Sequence, residues 1–464
     1  MGHDVARRSR AGRRTPVKTT SKLDESHDPA LRSWIASAND GTTDFPVQNL
    51  PVGLFRHDFE ERPRVGIAIG DQVLDCLAAA RAGCFASLGP LVDDALQSWS
   101  LNALLALGRG DARAVRLAAS RLLRDGTPEG RRAQELRETI IVGMDHVSML
   151  VPAEIGDYTD FYASVYHATN VGSMFRPDAP LLPNYKWVPV GYHGRASSIV
   201  ANGTPVRRPR GQTRPDATAP PVYGPSNSLD YELEIGAFVC GENAIGETVP
   251  IARAEERIFG LCLLNDWSAR DVQSWEYQPL GPFLAKSFAT TVGPWVVTLD
   301  ALEPFRVAAF DRPAGDPSPL AYLDDAGDRR RGGFGITLEV WLRSAAMRAA
   351  AIPAVRLSSG SFDSMYWTVA QLLTHHSSNG CNMRPGDLLG SGTVSGPEKG
   401  SRGCLLELAR RGAEPVTLPS GERRAFLADG DEVIFRGWCE RDGAARIGFG
   451  ECCGEIRAAS PGVE

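Results

Sequence analysis

The stretch Leu229–Phe238, with the sequence LDYELEIGAF, decides how the rest of the chain is interpreted. Apolar and acidic residues alternate in it, which predicts a β-strand whose successive side chains point to opposite faces. One face carries Leu229, Tyr231, Leu233 and Ile235, and the other carries Asp230, Glu232 and Glu234. Two carboxylates about 4 Å apart repel by roughly 4 kcal/mol at an effective dielectric constant of about 20, so a buried acidic face needs a cation. On this segment alone, an acidic face that points at water is favoured.

Two other segments supply oxygen donors of the same kind. Asp160 lies within DYTDFY (Asp157–Tyr162), and Asp266 follows the apolar run Phe259–Leu264. Hard cations such as Mg²⁺ and Ca²⁺ bind mainly oxygen ligands, above all carboxylates, whereas Zn²⁺ prefers clusters of His and Cys. The acidic residues are therefore candidate ligands of a hard divalent cation, although each segment alone is a weak indication.

His167 follows this acidic, aromatic segment. A nearby carboxylate could hold one of its ring nitrogens and leave the other to take a proton from water, and a hydrogen-bonded structural role is the alternative. The sequence contains no G-x-S-x-G elbow, Walker loop, H-E-x-x-H helix or dinucleotide fingerprint after a strand. The glycine-rich stretch Gly390–Gly396 could approach a ligand with its backbone, but its spacing fits neither phosphate-loop pattern and a tight turn is favoured.

Composition excludes several classes of protein. The chain has 464 residues, 43% hydrophobic and 23% charged, which is typical of a soluble globular protein. No apolar run approaches the roughly eighteen residues of a membrane span. The net charge is -6 although residues 1–22 carry seven basic side chains and one acidic one, so the body is acidic and a nucleic-acid-binding core is disfavoured. Nine cysteines without a C-x-x-C pair favour reduced thiols and a cytoplasmic protein.

Three regions follow one another along the chain. Residues 1–43 are predicted to be a disordered basic extension. Residues 44–150 are predicted to form an N-terminal domain, with a hairpin turning at Gly70–Asp71 and amphipathic helices between 86 and 139. Residues 151–464 contain short apolar strands separated by Pro and Gly clusters, with one helix at about 364–376. With 48 Gly and 32 Pro in the chain, the predicted fold class is mainly β with minor α.

The chain resembles the fumarylacetoacetate hydrolase family through an ordered series of motifs that spans most of its length. These motifs are DFPVQNLP (44–51), DYTDFY (157–162), HATNVG (167–172), PVGYHGRASS (189–198), ELE (232–234), NDWSARD (265–271), WEY (275–277), GPF (281–283), KSF (286–288), THHS (374–377), NGCN (379–382) and RPGDLL (384–389). The order and number of these motifs make the resemblance far more specific than a shared fold.

The resemblance implies a small N-terminal β-barrel domain with helices (44–150), followed by a large C-terminal catalytic domain built as a mixed β-roll (151–464). It also implies hydrolysis of the carbon–carbon bond of 4-fumarylacetoacetate to fumarate and acetoacetate, the last step of tyrosine and phenylalanine catabolism. A cytoplasmic homodimer that acts on a small β-diketo acid, without nucleic acid or membrane as a partner, is expected. The alternatives are a related acylpyruvate hydrolase, a 2-oxo acid decarboxylase, or a non-catalytic, metal-stabilised β protein.

Site residues follow from the resemblance position by position. A Ca²⁺ or Mg²⁺ ion is expected at Asp160, Glu232, Glu234 and Asp266, and a second Mg²⁺ at Asp266, Lys286 and Thr290. His167 corresponds to the general base, oriented by Glu407, and the oxyanion is expected at Arg270, Gln273 and Lys286. Substrate contacts are expected from Tyr162, Arg176, Tyr192, Gln273, Tyr277 and Thr393.

Overall fold

A computed structural model describes residues 23–58, 60–216 and 218–461 of the chain. The strands are β1 (Val52–His57), β2 (Arg64–Ile69), β3 (Gln72–Asp75), β4 (Ile141–Gly143), β5 (Val147–Met149), β6 (Tyr158–Phe161), β7 (Gly191–Gly194), β8 (Ile199–Ala201), β9 (Val206–Arg207), β10 (Arg210–Thr213), β11 (Val222–Pro225), β12 (Leu229–Asp230), β13 (Leu233–Val239), β14 (Ile258–Asp266), β15 (Ser268–Ala269), β16 (Thr290–Val292), β17 (Trp295–Thr298), β18 (Arg306–Val307), β19 (Gly333–Phe334), β20 (Thr337–Arg343), β21 (Val355–Ser361), β22 (Leu388–Gly390), β23 (Val416–Thr417), β24 (Arg423–Arg424), β25 (Glu432–Cys439) and β26 (Ile447–Arg457). The α-helices are α1 (Cys76–Arg81), α2 (Pro90–Leu96), α3 (Asn102–Leu107), α4 (Arg109–Leu123), α5 (Pro128–Glu135), α6 (Arg137–Ile140), α7 (Val165–Phe175), α8 (Ile251–Ala254), α9 (Arg270–Glu276), α10 (Ala326–Arg331), α11 (Ala345–Ala349), α12 (Val369–Ser377) and α13 (Leu405–Leu408).

One large sheet combines strands of the N-terminal region with strands of the C-terminal region. Its main order is β4-β3-β2-β1-β17-β14-β13-β22-β6-β7, and a separate five-stranded sheet has the order β21-β20-β25-β26-β9. The N-terminal strands join the rest where β1 pairs antiparallel with β17, with Val52 opposite Val296. The mainly β fold, with a small N-terminal part and a large C-terminal part, is confirmed. The division at residue 150 stays a prediction, because the two parts share this sheet.

The central strands β13 and β14 are buried on both faces. Odd-numbered residues of the segment 229–239 pack into one hydrophobic core, while Phe238 packs with Phe259 and Cys262 into a second core shared with the N-terminal helices. The strand predicted from alternation is interrupted at 231–232, which separates β12 from β13. The acidic face therefore does not point at bulk water, contrary to what the segment alone favoured, because the sheet is covered on that side as well.

The N-terminal region contains the predicted hairpin and helices. Strands β2 and β3 pair antiparallel with Ile69 opposite Gln72, and Gly70 at the turn has a positive φ of 58°, which glycine adopts at little cost. Helices α2 to α5 lie within the predicted range 86–139. Their apolar faces pack into the second core.

The prediction of disorder for residues 1–43 is wrong for residues 23–43, and residues 1–22 lie outside the described residues. Ile35 and Ala38 are buried in the second core, and the indole of Trp34 donates to the carbonyl of Leu122 at 2.9 Å. Composition did not reveal this segment because its few apolar residues are spaced irregularly; they lie against helix α4 rather than forming a regular element of their own.

The predicted helix at 364–376 is α12, which begins five residues later. Thr368 caps it by accepting a hydrogen bond from the backbone of Gln371, whose side chain accepts one in return from the Thr368 backbone. A short 3₁₀ turn at Phe362–Ser364 precedes it. Among the described residues, no helix has the length and apolar character needed to cross a membrane.

Candidate active site

Four buried acids converge from three strands or strand ends. Asp160 lies in β6, Glu234 in β13, Asp266 at the end of β14, and Glu232 immediately before β13. Strand β22 lies between β13 and β6, pairing Gly390 with both Gly236 and Asp160, so residues far apart in sequence meet at one point of the sheet. We call Asp160, Glu232, Glu234 and Asp266 the acid cluster.

Gly390 provides the space for the acid cluster. A Cβ atom at this position would lie 2.5 Å from Oδ1 of Asp160 and 3.0 Å from Oε2 of Glu234, closer than non-bonded atoms tolerate. Two residues along, the backbone N–H of Gly392 donates to both of these oxygens, at 3.2 and 3.1 Å. The glycine-rich stretch 390–396 thus supplies close backbone approach at the site, in addition to a turn.

The geometry of the acid cluster suits a divalent cation. One oxygen from each of the four residues lies within 4.8 Å of the others, and all four residues are buried. Among the described residues there is no hydrogen-bond partner for Oε1 of Glu234, although this atom is buried. An unsatisfied buried carboxylate oxygen is costly unless a ligand supplies the missing interaction, and an all-oxygen donor set is what Mg²⁺ and Ca²⁺ prefer. The residues present therefore fit a hard divalent cation.

The electrostatics of the acid cluster also favour a cation. Burial and the neighbouring carboxylate of Asp266 raise the pKa of Asp160, and burial with Asp160 and Asp266 raises the pKa of Glu234. Burial alone would raise the pKa of Glu232 as well, but the ammonium group of Lys286 and the guanidinium of Arg270 outweigh it and lower that pKa. Charge at one end of the cluster is balanced by basic side chains, whereas at Asp160 and Glu234 it is not.

Lys286, Thr290 and Tyr192 surround Asp266. The Lys286 ammonium donates to Oδ2 of Asp266 at 2.7 Å and also bonds Glu232, while the Thr290 hydroxyl donates to Oδ1 of Asp266 at 2.8 Å. The Tyr192 hydroxyl donates to Oδ2 of Asp266 at 2.7 Å. The three residues for which a second Mg²⁺ is expected, Asp266, Lys286 and Thr290, therefore lie in direct contact.

His167 is paired with Glu407. Its Nδ1 lies 2.6 Å from Oε2 of Glu407, and both side chains are buried. Helix α7 begins after Ser164, whose hydroxyl accepts from the backbone N–H of His167, which fixes the histidine in the first turn of the helix. Because an ionised carboxylate only accepts hydrogen bonds, Nδ1 carries the proton and Nε2 is left as an acceptor.

Glu407 is held by further donors. Asn170 donates to Oε1 at 2.7 Å, and Ser395 and Cys404 donate to Oε2 at 2.8 and 3.2 Å. Burial alone would raise the pKa of Glu407, but the charge and hydrogen bond of His167, with these donors, lower it to about 2. We call Glu407 and its donors His167, Asn170, Ser395 and Cys404 the Glu407 network. Its carboxylate is ionised and fixed in orientation.

Arg270 links the acid cluster to a fifth acid, Asp230. Its guanidinium donates to Asp230 at 2.9 Å, to Glu232 at 2.7 Å and to the side-chain oxygen of Gln273 at 3.2 Å. Nη2 of Arg270 is buried, and the part of the chain that the structure describes offers it no hydrogen-bond partner. Asp230 also accepts from the backbone N–H groups of Leu405 and Leu406 in α13. Asp230 therefore belongs to a structural ion pair outside the acid cluster, although the alternating pattern placed it with Glu232 and Glu234.

A cavity of about 860 Å³ brings these groups together. Of the acid cluster, Asp160 and Glu232 line it, as do His167, Arg270, Gln273 and Lys286. All six residues predicted to contact substrate also line it: Tyr162, Arg176, Tyr192, Gln273, Tyr277 and Thr393. Glu407 lies behind His167, and Thr290 behind Asp266. These six residues differ in burial: Thr393, for example, is buried, whereas Arg176 is exposed.

Sequence patterns gave no indication of the ion pair between Asp230 and Arg270, of the contacts of Asn170 and Ser395, or of the steric role of Gly390. Asn170 lies one turn after His167 in the same helix, so helical spacing could have indicated that the two share a partner. Ser395 and Gly390 lie in the glycine-rich stretch, whose composition indicates a turn or a close backbone approach but not these particular contacts. Their roles depend on contacts with residues that are distant in sequence, for which spacing gives no signal.

Known proteins and protein families match this chain along almost its whole length. Residues 48–152 match the family model described as "Fumarylacetoacetase N-terminal", and residues 157–457 match "Fumarylacetoacetate (FAA) hydrolase C-terminal". The chain is 49% identical over 431 residues to fumarylacetoacetases of Bos taurus and Homo sapiens, covering 92% of this chain and 99% of each relative. Fumarylacetoacetase of Arabidopsis thaliana is 46% identical over 432 residues, covering 93% of this chain and 99% of the relative.

Solved structures with related folds are more distant. A fumarylacetoacetate hydrolase from Exiguobacterium antarcticum is 18% identical, covers 88% of this chain and 99% of its own, and has a TM-score of 0.47. A maleylpyruvate hydrolase from Sphingobium sp. SYK-6 is 14% identical, covers 89% of this chain and 100% of its own, and has a TM-score of 0.46.

The fold, the acid cluster and the paired histidine around one cavity define the class of protein as a hydrolase with a site suited to a metal ion. The two family models together cover most of the chain. The chain belongs to the fumarylacetoacetase family.

Proposed function

We propose that this protein hydrolyses the carbon–carbon bond of 4-fumarylacetoacetate to give fumarate and acetoacetate, the last step of tyrosine and phenylalanine catabolism. The observation that carries this proposal is the opening of the acid cluster and His167 into one cavity, in a chain 49% identical to fumarylacetoacetases over 92% of its length. Such a cavity would bring a cation held by the acid cluster and the proton acceptor His167 to one small molecule, as hydrolysis of a β-diketone requires.

The acid cluster would hold a Ca²⁺ or Mg²⁺ ion, and Asp266, Lys286 and Thr290 would hold a second Mg²⁺. When bound, a divalent cation supplies Lewis-acid polarisation of the substrate's two carbonyl oxygens. The unpartnered Oε1 of Glu234 supports the first site. For the second site, the Asp266 carboxylate and the Thr290 hydroxyl supply oxygen donors in direct contact, while the Lys286 ammonium, which has no lone pair, bonds the same carboxylate and would not bind the ion through Nζ.

His167 is the general base. Its Nε2 accepts a proton from water while Glu407 holds the Nδ1 proton, so the imidazole is in the tautomer that the reaction needs. The water oxygen forms a bond to the fumaryl carbonyl carbon. Glu407 stabilises the imidazolium that results, because its carboxylate stays ionised at a pKa of about 2.

Arg270, Gln273 and Lys286 stabilise the oxyanion of the tetrahedral intermediate. The buried, unpartnered Nη2 of Arg270 supports this role, since a donor without a protein partner is available to a substrate oxygen. The bond between the fumaryl carbon and the neighbouring CH₂ then breaks, and its electron pair leaves on that carbon as the enolate of acetoacetate. A proton returned from His167 to this carbon completes acetoacetate, and fumarate carries the oxygen from water.

Substrate is positioned by Tyr162, Arg176, Tyr192, Gln273, Tyr277 and Thr393, all on the cavity wall. Tyr162 also packs edge-on against the ring of His167, with centroids 5.2 Å apart, so it orders the base as well as the substrate. The protein is proposed to act as a cytoplasmic homodimer on this small β-diketo acid, without nucleic acid or membrane as a partner.

A substrate panel with each divalent cation tests the proposal. Purified protein with Mg²⁺ or Ca²⁺ is expected to remove the ultraviolet absorbance of fumarylacetoacetate, and a chelator is expected to slow this loss. Maleylacetoacetate and acylpyruvates serve as comparison substrates. Preference for an acylpyruvate would identify a related acylpyruvate hydrolase instead. Absence of any cation-dependent loss with every substrate would favour a non-catalytic, metal-stabilised β protein.

A further inference from the structure

A turn of three left-handed residues follows helix α13 at the edge of the cavity. Arg410, Arg411 and Gly412 have φ values of 46°, 56° and 90°. Glycine adopts such values freely, but side chains with a Cβ adopt them at a cost in free energy. In the part of the chain that the structure describes, Leu50 and Ala351 are the other non-glycine residues with positive φ. Strained residues that cluster beside a binding cavity suggest that the backbone is shaped to place a side chain there.

The two arginines of this turn point to different environments. Arg410 forms an ion pair with Glu414 at 2.9 Å, and both side chains are largely exposed. Arg411 lines the cavity instead. Its guanidinium carbon lies 4.4 Å from the centre of the Phe175 ring, and Nη1 donates to the carbonyl of Met174 at 3.2 Å. Turn geometry thus sends one arginine to the surface and its neighbour to the cavity wall.

Helix α7 gives the distance between Arg411 and the catalytic end of the cavity. His167, Val171 and Phe175 all line the cavity, and their spacing of four residues places them on one face of the helix. With a rise of about 1.5 Å per residue, Phe175 lies roughly 12 Å along the axis from His167. The cavity wall therefore runs from the general base at one end of the helix to the stacked guanidinium of Arg411 at the other.

A fumaryl group fits that distance. Its trans double bond holds the carboxyl carbon about 4 Å from the attacked carbonyl carbon, as a planar trans unit of three bonds does in the peptide chain. With a water between His167 and the attacked carbon, and a hydrogen bond from carboxylate to guanidinium, the span from imidazole to guanidinium is up to roughly 13 Å. The fumaryl carboxylate is also farther from the two carbonyl groups than the acetoacetyl carboxylate.

The charge state of Arg411 suits this ligand. Arg270 and Lys286 are already paired with carboxylates of the protein, whereas Arg176 and Arg411 form no ion pair among the described residues, and of these two it is Arg411 whose guanidinium lies over an aromatic ring. Contact with the Phe175 ring holds the guanidinium in place, and since Nη1 donates to Met174, the edge formed by Nε and Nη2 is left to bind a carboxylate with two parallel hydrogen bonds. We propose that Arg411 is a specificity-determining residue that binds the fumaryl carboxylate of the substrate. This inference rests on the proposed function.

The pair Arg411→Met and Arg410→Met tests it, because both substitutions fall on left-handed residues of one turn and remove one charge each. Arg411→Met is expected to raise KM for fumarylacetoacetate about 10-fold or more, with kcat within about threefold of wild type. Arg410→Met is expected to leave both constants unchanged. Arg411→Lys, which keeps the charge but not the planar fork, is expected to give an intermediate KM.

Calorimetric titration with fumarate separates this inference from the proposed function. Arg411→Met is expected to weaken fumarate binding about 10-fold, with no change in Arg410→Met. Equal KM and equal fumarate affinity in wild type and Arg411→Met would overturn the inference while hydrolysis by wild type stands. If wild type does not hydrolyse fumarylacetoacetate, the proposed function fails and fumarate affinity alone decides the role of Arg411. If Arg411→Met does not fold, Arg411→Lys is judged by the same two measurements, and wild-type values would overturn the inference.

Discussion

Two groups of buried carboxylates lie beside the same cavity, and they differ in how their charges are satisfied. In the Glu407 network, one carboxylate receives hydrogen bonds from four side chains, and its pKa falls to about 2. In the acid cluster, four carboxylates crowd together, one oxygen of Glu234 has no partner, and the pKa values of Asp160 and Glu234 rise. A satisfied carboxylate positions a neighbour, while crowded, unsatisfied carboxylates are suited to binding a cation.

This difference predicts opposite responses to the same kind of substitution. Loss of a carboxylate charge from the Glu407 network removes an acceptor that four donors share. Loss of one from the acid cluster removes repulsion while it weakens cation binding. If the two groups are functionally separate, a substitution in one of them leaves unchanged the property that depends on the other.

His167→Ala is expected to reduce turnover about 1,000-fold, because it removes the proton acceptor and leaves the acid cluster intact. Fumarate release measures turnover, and calorimetry with Mg²⁺ is expected to give wild-type cation affinity. His146→Ala provides a control, since His146 is exposed and lies outside the cavity lining. Normal fumarate release by His167→Ala would contradict its role as base, and loss of cation binding would show that the two groups are not separate.

Glu234→Gln is expected to weaken divalent-cation affinity about 100-fold and to raise the melting temperature measured in chelator. Repulsion from Asp160 and Asp266 adds to burial in raising the pKa of Glu234. The neutral amide of Gln removes this repulsion. Thermal melts with chelator and with Mg²⁺ measure both effects.

Glu407→Gln is the matched variant for this prediction. It is expected to lower the melting temperature in chelator and in Mg²⁺ alike, because the amide offers fewer acceptor sites to the four donors. A fall in the melting temperature of metal-free Glu234→Gln would mean that its carboxylate is satisfied by the protein and would remove the contrast between the two groups.

The two groups also differ in how far the sequence could predict them. Alternation in LDYELEIGAF correctly placed Leu233 and Ile235 in one core and Glu232 and Glu234 on the opposite face. It could not show that this opposite face is buried, since the second core is completed by helices from the N-terminal region. The same pattern grouped Asp230 with Glu232 and Glu234, whereas the break between β12 and β13 places Asp230 against Arg270.

The positions of Asp160 and of the Glu407 network could not be predicted from the local sequence pattern alone. Asp160 reaches the acid cluster because β6 pairs in parallel with β22, which lies more than two hundred residues away in the sequence. Resemblance to a family pointed to His167 and Glu407 as a pair, but it did not point to Asn170 or Ser395, whose contacts with Glu407 depend on tertiary packing. Local pattern predicts faces and residue chemistry, and long-range strand pairing determines which of them meet.

Asn170→Ala is expected to lower kcat about 10-fold with KM unchanged, because it removes the donor that holds Oε1 of Glu407 and loosens the orientation of His167. Steady-state kinetics give both constants. Ser173→Ala on the same helix is the control, since Ser173 is exposed and its hydroxyl bonds only the carbonyl of Thr169. A change in KM alone would place Asn170 among substrate contacts rather than in the Glu407 network.

The smallest expected effect concerns the pH dependence of stability. Because the folded protein lowers the pKa of Glu407 from 4.5 to about 2, the ionised carboxylate contributes stability above pH 4.5, and this contribution is lost as the pH falls towards 2. Urea midpoints of wild type and Glu407→Gln are therefore expected to differ most above pH 4.5 and to converge as the pH falls. Subtracting one protein from the other removes the effect of other acids common to both, among them the acid cluster. If the difference in urea midpoint between wild type and Glu407→Gln stays constant between pH 5 and pH 3, the negative charge of Glu407 does not account for its contribution to stability. The hydrogen bonds from its four donors would then account for it.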